Sequence, residues 1–150
     1  MTSLFGRALL AFLLLPAMVA GVIPASLRPA GGMRHPAGLA VIGVGLALLL
    51  WCVRDFYVAG KGTLAPWDPP RRLVTTGLYR FSRNPMYVAV LVILAGWAVA
   101  YGSRTLVIYA AVVAVAFHLR VLLYEEPKMA QLFGAQWDEF RSRVPRWLLP

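Results

Sequence analysis

Residues 73–87, LVTTGLYRFSRNPMY, combine arginines, tyrosines, a glycine and a proline directly before an apolar segment. Asn84 followed by Pro85 is a typical N-cap and first position of a helix, which is a sufficient structural reason for both residues. A helix N-terminus also offers free N–H groups that suit a carboxylate or phosphate. Arg80 and Arg83 beside it would strengthen such binding. The stretch therefore predicts an anion-binding wall of a site.

A second candidate is the acidic pair Glu125 and Glu126, which follows another apolar segment. The C-terminal end of a helix disfavours negative charge, and carboxylates are costly near a membrane. Two interpretations are open. The pair forms salt bridges with Arg120 or with arginines of the tail, or it binds the hydroxyl groups or positive charge of a cofactor.

Other polar residues in apolar segments have weaker cases. His118 is predicted to be a hydrogen-bonded packing residue, and Arg120, two positions further on the helix, points nearly the opposite way and is expected to extend towards lipid headgroups. Cys52 is alone and is assigned to packing, and His35 lies in a distant loop. We predict no metal site.

Composition indicates a membrane protein of one domain. Of 150 residues, 60% are hydrophobic and 14% charged, and the mean hydropathy is +0.69, whereas soluble domains have about 25% charged residues. The net charge is +9, and the basic residues flank the apolar segments instead of forming a continuous stripe. This distribution therefore favours anionic lipid headgroups as partners over nucleic acid.

Four apolar segments predict an all-α integral membrane protein with four transmembrane helices. A helix needs about 17–25 residues to cross the hydrocarbon layer, so the third is short. The first could alternatively be a signal peptide, but an uncleaved span kinked at Pro16 is favoured. The predicted spans are residues 4–23, 37–53, 86–101 and 105–124.

The distribution of basic residues predicts orientation. Twelve of the fifteen Lys and Arg residues fall in the N-terminus, residues 54–85 and the tail, and three fall in the other loops. By the positive-inside rule the long loop and both termini are cytoplasmic in a multi-pass protein of the cell membrane. The loop of residues 60–70, with two glycines and three prolines, is predicted to be irregular.

The third and fourth segments are joined by residues 102–104 alone, with Ser103 as a plausible N-cap. So short a connection forces an antiparallel hairpin. We therefore expect residues 73–87 to lie beside Glu125 and Glu126. This is the central structural prediction.

After the fourth span, Pro127 is predicted to end the helix. Apolar residues then recur at helical spacing and predict an amphipathic helix lying at the membrane interface; they are Phe133, Trp137, Phe140 and Val144. The basic finish of this segment, at Arg141, Arg143 and Arg146, is not explained by membrane anchoring alone.

Residues 73–87 resemble the signature of the isoprenylcysteine carboxyl methyltransferase family and of related phospholipid N-methyltransferases. Residues 63–70, TLAPWDPP, are similar to bacterial members. The tail also matches, at Glu125-Glu126, Phe133-Gly134, Trp137, Phe140, Val144-Pro145-Arg146 and Pro150. The resemblance covers residues 60–150 in order and spacing. It departs at Asn84, where many members have histidine, and at Trp137 and Phe140, where they have tyrosine.

The resemblance implies an integral membrane enzyme that binds S-adenosylmethionine in a cytoplasmic pocket, with Glu125 and Glu126 on one side. Arg143 and Arg146 are weaker candidates for an anionic group. The other side is implied to consist of Gly77, Tyr79, Arg83, Asn84, Pro85 and Tyr87.

The resulting hypothesis is S-adenosylmethionine-dependent methyl transfer to a lipid-like or hydrophobic acceptor carrying a carboxyl, amine or thiol. Methyl transfer from a sulfonium needs positioning more than an acid or base. In this hypothesis Arg83 binds a carboxylate, and Glu125 or Glu126 binds the ribose or steadies the sulfonium, so these three are the catalytic candidates. Tyr79 and Tyr87 shape the pocket.

Two other classes compete with this hypothesis. A small proton-coupled exporter would carry a carboxylate inside a span, and none of the predicted spans contains one. A non-catalytic membrane scaffold or lipid-binding protein of the same fold is the main alternative.

Overall fold

The computed structural model describes residues 13–60 and 72–148, and within them all regular secondary structure is helical. The predicted all-α class is therefore confirmed. The elements are α1 (Leu13–Val22, π-helical), α2 (Ile23–Leu27), α3 (Ala37–Val58), a 3-10 turn (Gly77–Arg80), α4 (Pro85–Tyr101), α5 (Arg104–Arg120), a π turn (Val121–Glu125), α6 (Glu126–Phe133) and α7 (Ala135–Arg143).

Two helices of the described chain are long and apolar enough to cross a membrane. They are Ala37–Val58 and the continuous Arg104–Phe133, with mean hydropathies of 2.1 and 2.3. Only 22% and 17% of their most apolar windows are buried, so their apolar side chains face outward, unlike those of a soluble core helix. Two shorter apolar helices are Pro16–Leu27 and Pro85–Tyr101. Of the four predicted spans, two thus reach this length, and the start of the first lies outside the described residues.

Glycines let α3 and α4 pack closely in antiparallel fashion. A Cβ atom added to Gly45 would lie 2.8 Å from the backbone nitrogen of Ile93, and one added to Gly96 would lie 2.7 Å from that of Ile42. Small residues permit such close approach where helices associate in lipid. Ile93 and Leu49 are fully buried in the core beside this contact.

The predicted hairpin between α4 and α5 is present. Gly102 ends α4 in the left-handed conformation at φ 56°, which glycine adopts without steric cost. Ser103 caps α5, its side chain accepting a hydrogen bond from the Leu106 N–H at 3.4 Å. The start of α4 and the end of α5 consequently lie at the same end of the molecule.

The prediction that Pro127 ends the helix is wrong. The chain stays helical to Phe133 because a π turn precedes the proline, with the Glu126 N–H donating to the Val121 carbonyl five residues back. Proline lacks a donor and crowds the preceding turn, and a wider π turn accommodates both effects. The helix ends instead at Gly134, where φ is 47°.

The predicted interfacial amphipathic helix is also corrected. Gly134 interrupts it, so Phe133 belongs to α6, and α7 turns back towards the loop before α4. Trp137, Phe140 and Val144 are buried in a cluster with residues of that loop and of α3, namely Cys52, Val74 and Tyr79. The apolar stripe therefore packs against protein.

Helix α3 continues five residues beyond the predicted end at residue 53. Its last turns carry Arg54 and Asp55, and Asp55 is buried at 8% exposure. The statement that no predicted span contains an acid holds only because the second span was predicted to end at residue 53, two residues before Asp55. The structure places this carboxylate near the end of α3, beside the loop that precedes α4.

Candidate functional site

The turn at Ser82–Asn84 is bound to the chain that follows α7. The Arg83 N–H donates to the Pro145 carbonyl at 2.9 Å. The Ser82 hydroxyl and the Asn84 side-chain amide both donate to the Arg146 carbonyl, at 3.2 and 3.1 Å. Ser82 is fully buried. Two segments more than sixty residues apart thus form one wall, which we call the latch (residues 82–84 with 145–146).

Asn84 occupies the predicted N-cap position of α4, but its side chain makes no capping hydrogen bond. Its amide is used on the Arg146 carbonyl instead, and its own N–H donates to the Ser82 hydroxyl at 3.1 Å. Pro85 follows at the start of α4 and is buried. The side chain of Asn84 therefore stabilises the latch and does not cap the helix.

Glu126 binds two arginines, one from each side of the latch. Arg83 Nη1 lies 2.9 Å from Glu126 Oε1. Arg146 donates to both carboxylate oxygens, from Nε at 2.8 Å and from Nη2 at 2.9 Å. These hydrogen bonds raise the pKa of Arg146 above its ordinary value. Fork-shaped pairs of this kind hold their partners in a defined orientation.

Arg83 is the more enclosed of these two arginines. Its side chain is 11% exposed, and its guanidinium lies 5.6 Å from the Trp137 ring centroid. Burial lowers the pKa of Arg83, against the attraction of Glu126, which raises it. Its Nε has no hydrogen-bond partner among the described residues. The guanidinium therefore keeps one buried donor for a further ligand.

Glu125 belongs to a separate cluster with Tyr87 and Arg120. The Tyr87 hydroxyl donates to Glu125 Oε1, and Arg120 Nε donates to the same oxygen at 2.8 Å. Arg120 Nε also lies 3.2 Å from the Tyr87 hydroxyl, and the Tyr87 ring packs 4.3 Å from that of Phe117. Arg120 thus binds this cluster, which corrects the expectation that it extends to headgroups.

Gly77 and Tyr79 lie in the 3-10 turn that comes shortly before the latch residues 82–84. Tyr79 is buried, and burial, followed by the charges of Cys52, Asp55 and Glu125, raises its pKa, so its hydroxyl stays protonated. Gly77 has φ 58°, and a Cβ atom there would lie 1.9 Å from Asp55 Oδ2. Glycine is thus required by the backbone and by the carboxylate.

Asp55 is the polar residue that sequence reasoning missed. Its Oδ1 lies 3.2 Å from Nη1 of the exposed Arg54, and its Oδ2 has no hydrogen-bond partner among the described residues. The apolar pattern that continues after it, through Phe56 to Val58, was the available signal that α3 extends past the charged pair.

The hairpin brings most of the predicted residues to one end of the bundle. The contacts above join Arg83, Asn84 and Glu126 with Arg146, and they join Tyr87 and Glu125 with Arg120 in the second cluster. Arg143 is not part of this arrangement. It is exposed on α7 and pairs with Glu139 at 3.0 Å.

An apolar groove opens near the latch, with a volume of about 340 Å³. Trp147, the residue after Arg146, donates from Nε1 to His118 Nδ1 at 3.3 Å, in keeping with the predicted hydrogen-bonded histidine. The groove is lined by Leu91, Ala114, Val115, His118, Leu119 and Trp147. No cluster of three His, Cys, Asp or Glu residues suited to a metal occurs in the described chain.

Comparison with known proteins agrees with the resemblance. The sequence model of the phospholipid methyltransferase family matches residues 33–136. Protein-S-isoprenylcysteine O-methyltransferase B of Arabidopsis thaliana is 36% identical over 74 residues, which cover 49% of this chain and 38% of that protein. No solved structure matches the chain. Because the family match spans well over half of the 150 residues and includes the turn, the hairpin and both glutamates, the chain belongs to the phospholipid methyltransferase family.

Proposed function

We propose that the protein is an S-adenosylmethionine-dependent methyltransferase that acts at the membrane on a lipid-like or hydrophobic acceptor. The observation that carries this proposal is the meeting of residues 73–87 with the chain after α5, through Glu125, Glu126 and the latch. Both segments belong to the family resemblance, and their contacts produce one polar face at the end of an otherwise apolar bundle.

The residues present fit S-adenosylmethionine, which carries a carboxylate, an ammonium group, ribose hydroxyls and a positive sulfur. Arg83 keeps a buried donor, and Asp55 keeps a buried acceptor. Tyr79 stays protonated. Buried polar atoms without partners are rare in folded proteins and call for a ligand or another explanation. When bound, the cofactor supplies a methyl group on a cationic sulfur, which makes that group susceptible to nucleophiles.

Arg83 is the proposed ligand of the cofactor carboxylate, because its guanidinium is held by Glu126 and the Trp137 ring. Glu126 acts as a positioning residue, since both of its oxygens already bind Arg146. Glu125 is proposed to receive the ribose or the positive charge through Oε2, since its contacts within the described residues use Oε1. Fixed groups of this kind orient the reactants, which is the main requirement for an in-line displacement.

The acceptor is proposed to arrive from the lipid. The groove beside Trp147 is apolar, and the outward faces of α3 and α5 are suited to a membrane. The comparison names isoprenylcysteine for the plant relative and phospholipid for the family, so a prenylated carboxyl and a lipid amine are the leading acceptor groups, with a thiol as a third. We further propose a multi-pass arrangement in the cell membrane with the site and both termini on the cytoplasmic side.

The proposal is tested with purified protein and membranes. Isothermal titration should detect S-adenosylmethionine binding, and incubation of membrane extract with methyl-labelled cofactor should label a lipid or lipidated product. Absence of binding would refute the proposal. Binding without a labelled product would instead indicate the non-catalytic scaffold or lipid-binding protein.

A further inference from the structure

The acidic residues of the described chain differ sharply in how their charge is balanced. Asp138 and Glu139 are exposed and paired with arginines on α7. Glu125 and Glu126 bind the arginines and the tyrosine described above. Asp55 alone among the described acids has a buried oxygen without a hydrogen-bond partner; Asp68 lies outside the described residues.

The unpaired oxygen of Asp55 lies next to a residue of the candidate site. Oδ2 lies against Gly77, at the start of the 3-10 turn, so closely that no side chain fits there. The charges of Asp55 and Glu125 both add to the effect of burial in raising the pKa of Tyr79, two residues after Gly77. Asp55 therefore lies against the predicted site segment of residues 73–87, although it comes from α3.

Burial of this carboxylate without compensation is unfavourable. Within residues 13–60 and 72–148, its ion pair is with the neighbouring Arg54, whose side chain is 72% exposed and whose Nη1 lies 3.2 Å from Oδ1. Burying a charged group costs free energy unless hydrogen bonds replace its hydration. An ammonium or hydroxyl donor placed at Oδ2 would provide that replacement.

We infer that Asp55 is a binding residue of this site, whose Oδ2 accepts a hydrogen bond from the ammonium group or a ribose hydroxyl of S-adenosylmethionine lying against the Gly77 turn. This inference rests on the proposed function. It places Asp55 beside Glu125 in binding the ribose or the positive charge, because both oxygens of Glu126 already bind arginine, whereas Asp55 Oδ2 has no hydrogen-bond partner among the described residues.

The test is titration of S-adenosylmethionine and of methylthioadenosine, which keeps the ribose and lacks the ammonium, into wild type and Asp55→Asn. Loss of a charge-assisted hydrogen bond should weaken S-adenosylmethionine binding by roughly 10- to 100-fold. Asp138→Asn is the matched control, since Asp138 is exposed on α7, and it should bind as wild type does. Melting in the absence of ligand checks that each variant is folded.

The outcomes separate the two proposals. If wild type binds and Asp55→Asn binds equally well, the inference about Asp55 is overturned while the proposed function stands. If wild type does not bind, the proposed function fails and this inference falls with it. Weakening of both ligands supports the inference through a hydroxyl, and weakening of S-adenosylmethionine alone supports it through the ammonium. If Asp55→Asn does not fold, Asp55→Ala, which removes both carboxylate oxygens, is titrated instead, with unchanged affinity again overturning the inference.

Discussion

Arg146 holds Glu126 with a two-point hydrogen-bonded ion pair, at 2.8 and 2.9 Å, across twenty residues of sequence. The same Arg146 offers its carbonyl to Ser82 and Asn84. One residue of the tail therefore contacts both segments that form the candidate site.

Replacement of Arg146 by lysine should weaken the latch. Lysine keeps the charge but cannot form the fork with both oxygens of Glu126, so we expect a loss of about 1–2 kcal/mol of folding free energy. Affinity for S-adenosylmethionine should fall as well. Arg146 fixes the position of Glu126, and Glu126 in turn orients Arg83, the proposed ligand of the cofactor carboxylate. Unfolding in mixed micelles and calorimetry measure the two effects. Arg143→Lys, on an exposed pair, is the control, and equal losses in both variants would contradict the prediction.

Alanine at Gly77 should be more harmful than alanine at another glycine with positive φ. Both Gly77 and Gly134 have positive φ, but only at Gly77 would the added Cβ meet a neighbour, Asp55 Oδ2 at 1.9 Å. The strained backbone costs about 1–3 kcal/mol in either variant, and the collision should add about 1–3 kcal/mol at Gly77. Thermal melting compares them. Equal destabilisation of the Gly77 and Gly134 variants would show that the Asp55 carboxylate moves away from the added methyl group at no cost.

The packing of α3 on α4 should be sensitive to a single methyl group at Gly45. That methyl would lie 2.6 Å from the Ile93 side chain and 2.8 Å from its backbone, so we expect Gly45→Ala to lose about 1–3 kcal/mol. Gly43→Ala, on the same helix with nothing within 4 Å, should gain up to about 1 kcal/mol from helix propensity. Unfolding titrations measure both, and a stable Gly45→Ala would refute the close approach.

The hydroxyl of Tyr87 should increase the affinity for S-adenosylmethionine by orienting Glu125. Phenylalanine removes the hydroxyl that donates to Glu125 Oε1, so this carboxylate would be less well oriented. We expect S-adenosylmethionine affinity to fall about tenfold. Tyr124→Phe, whose hydroxyl accepts from Lys128 at 3.3 Å, should change affinity little. A Tyr87→Phe protein with unaltered calorimetric affinity would exclude Tyr87 from the site.

Filling the apolar groove should weaken use of the methyl acceptor without changing the affinity for the cofactor. Val115 lines the groove, and a tryptophan there would occupy part of its roughly 340 Å³ with a bulky ring. We expect methyl transfer to a membrane extract to slow by about tenfold, through a raised KM, with cofactor affinity unchanged. Val112→Trp places the same ring on an equally exposed part of α5 (61% against 59%). Similar kinetics in both variants would count against the groove as the acceptor route.

Features that depend on local pattern could be predicted from the sequence. Apolar segments identified α4 almost to the residue, and the three-residue connection with Ser103 indicated the hairpin. The hairpin in turn predicted that residues 73–87 lie beside Glu125 and Glu126, and Tyr87 and Arg83 contact these glutamates. These predictions succeeded because helix formation and a short turn are governed by residues close together in the chain.

The errors came where a local backbone adjustment or a contact with a distant segment overrides the preference of the residues concerned. Pro127 was expected to end a helix that a π turn instead carries onward, and Asn84 was expected to cap a helix but binds the Arg146 carbonyl. The stripe of α7 was assigned to lipid, but buried neighbours from two other segments cover it. Sequence periodicity shows that a face is apolar, and it cannot show what covers that face.

The sequence by itself determined an all-helical chain of membrane-like composition and its family, because composition, periodicity and motif spacing are properties of the chain alone. Only the tertiary structure decided which charges meet. It paired Glu126 with Arg83 and Arg146, separated Arg143 from them, and buried Asp55 against Gly77. The physical reason is that ion pairing and burial depend on distances of a few ångströms between residues far apart in sequence, which are set when the helices pack.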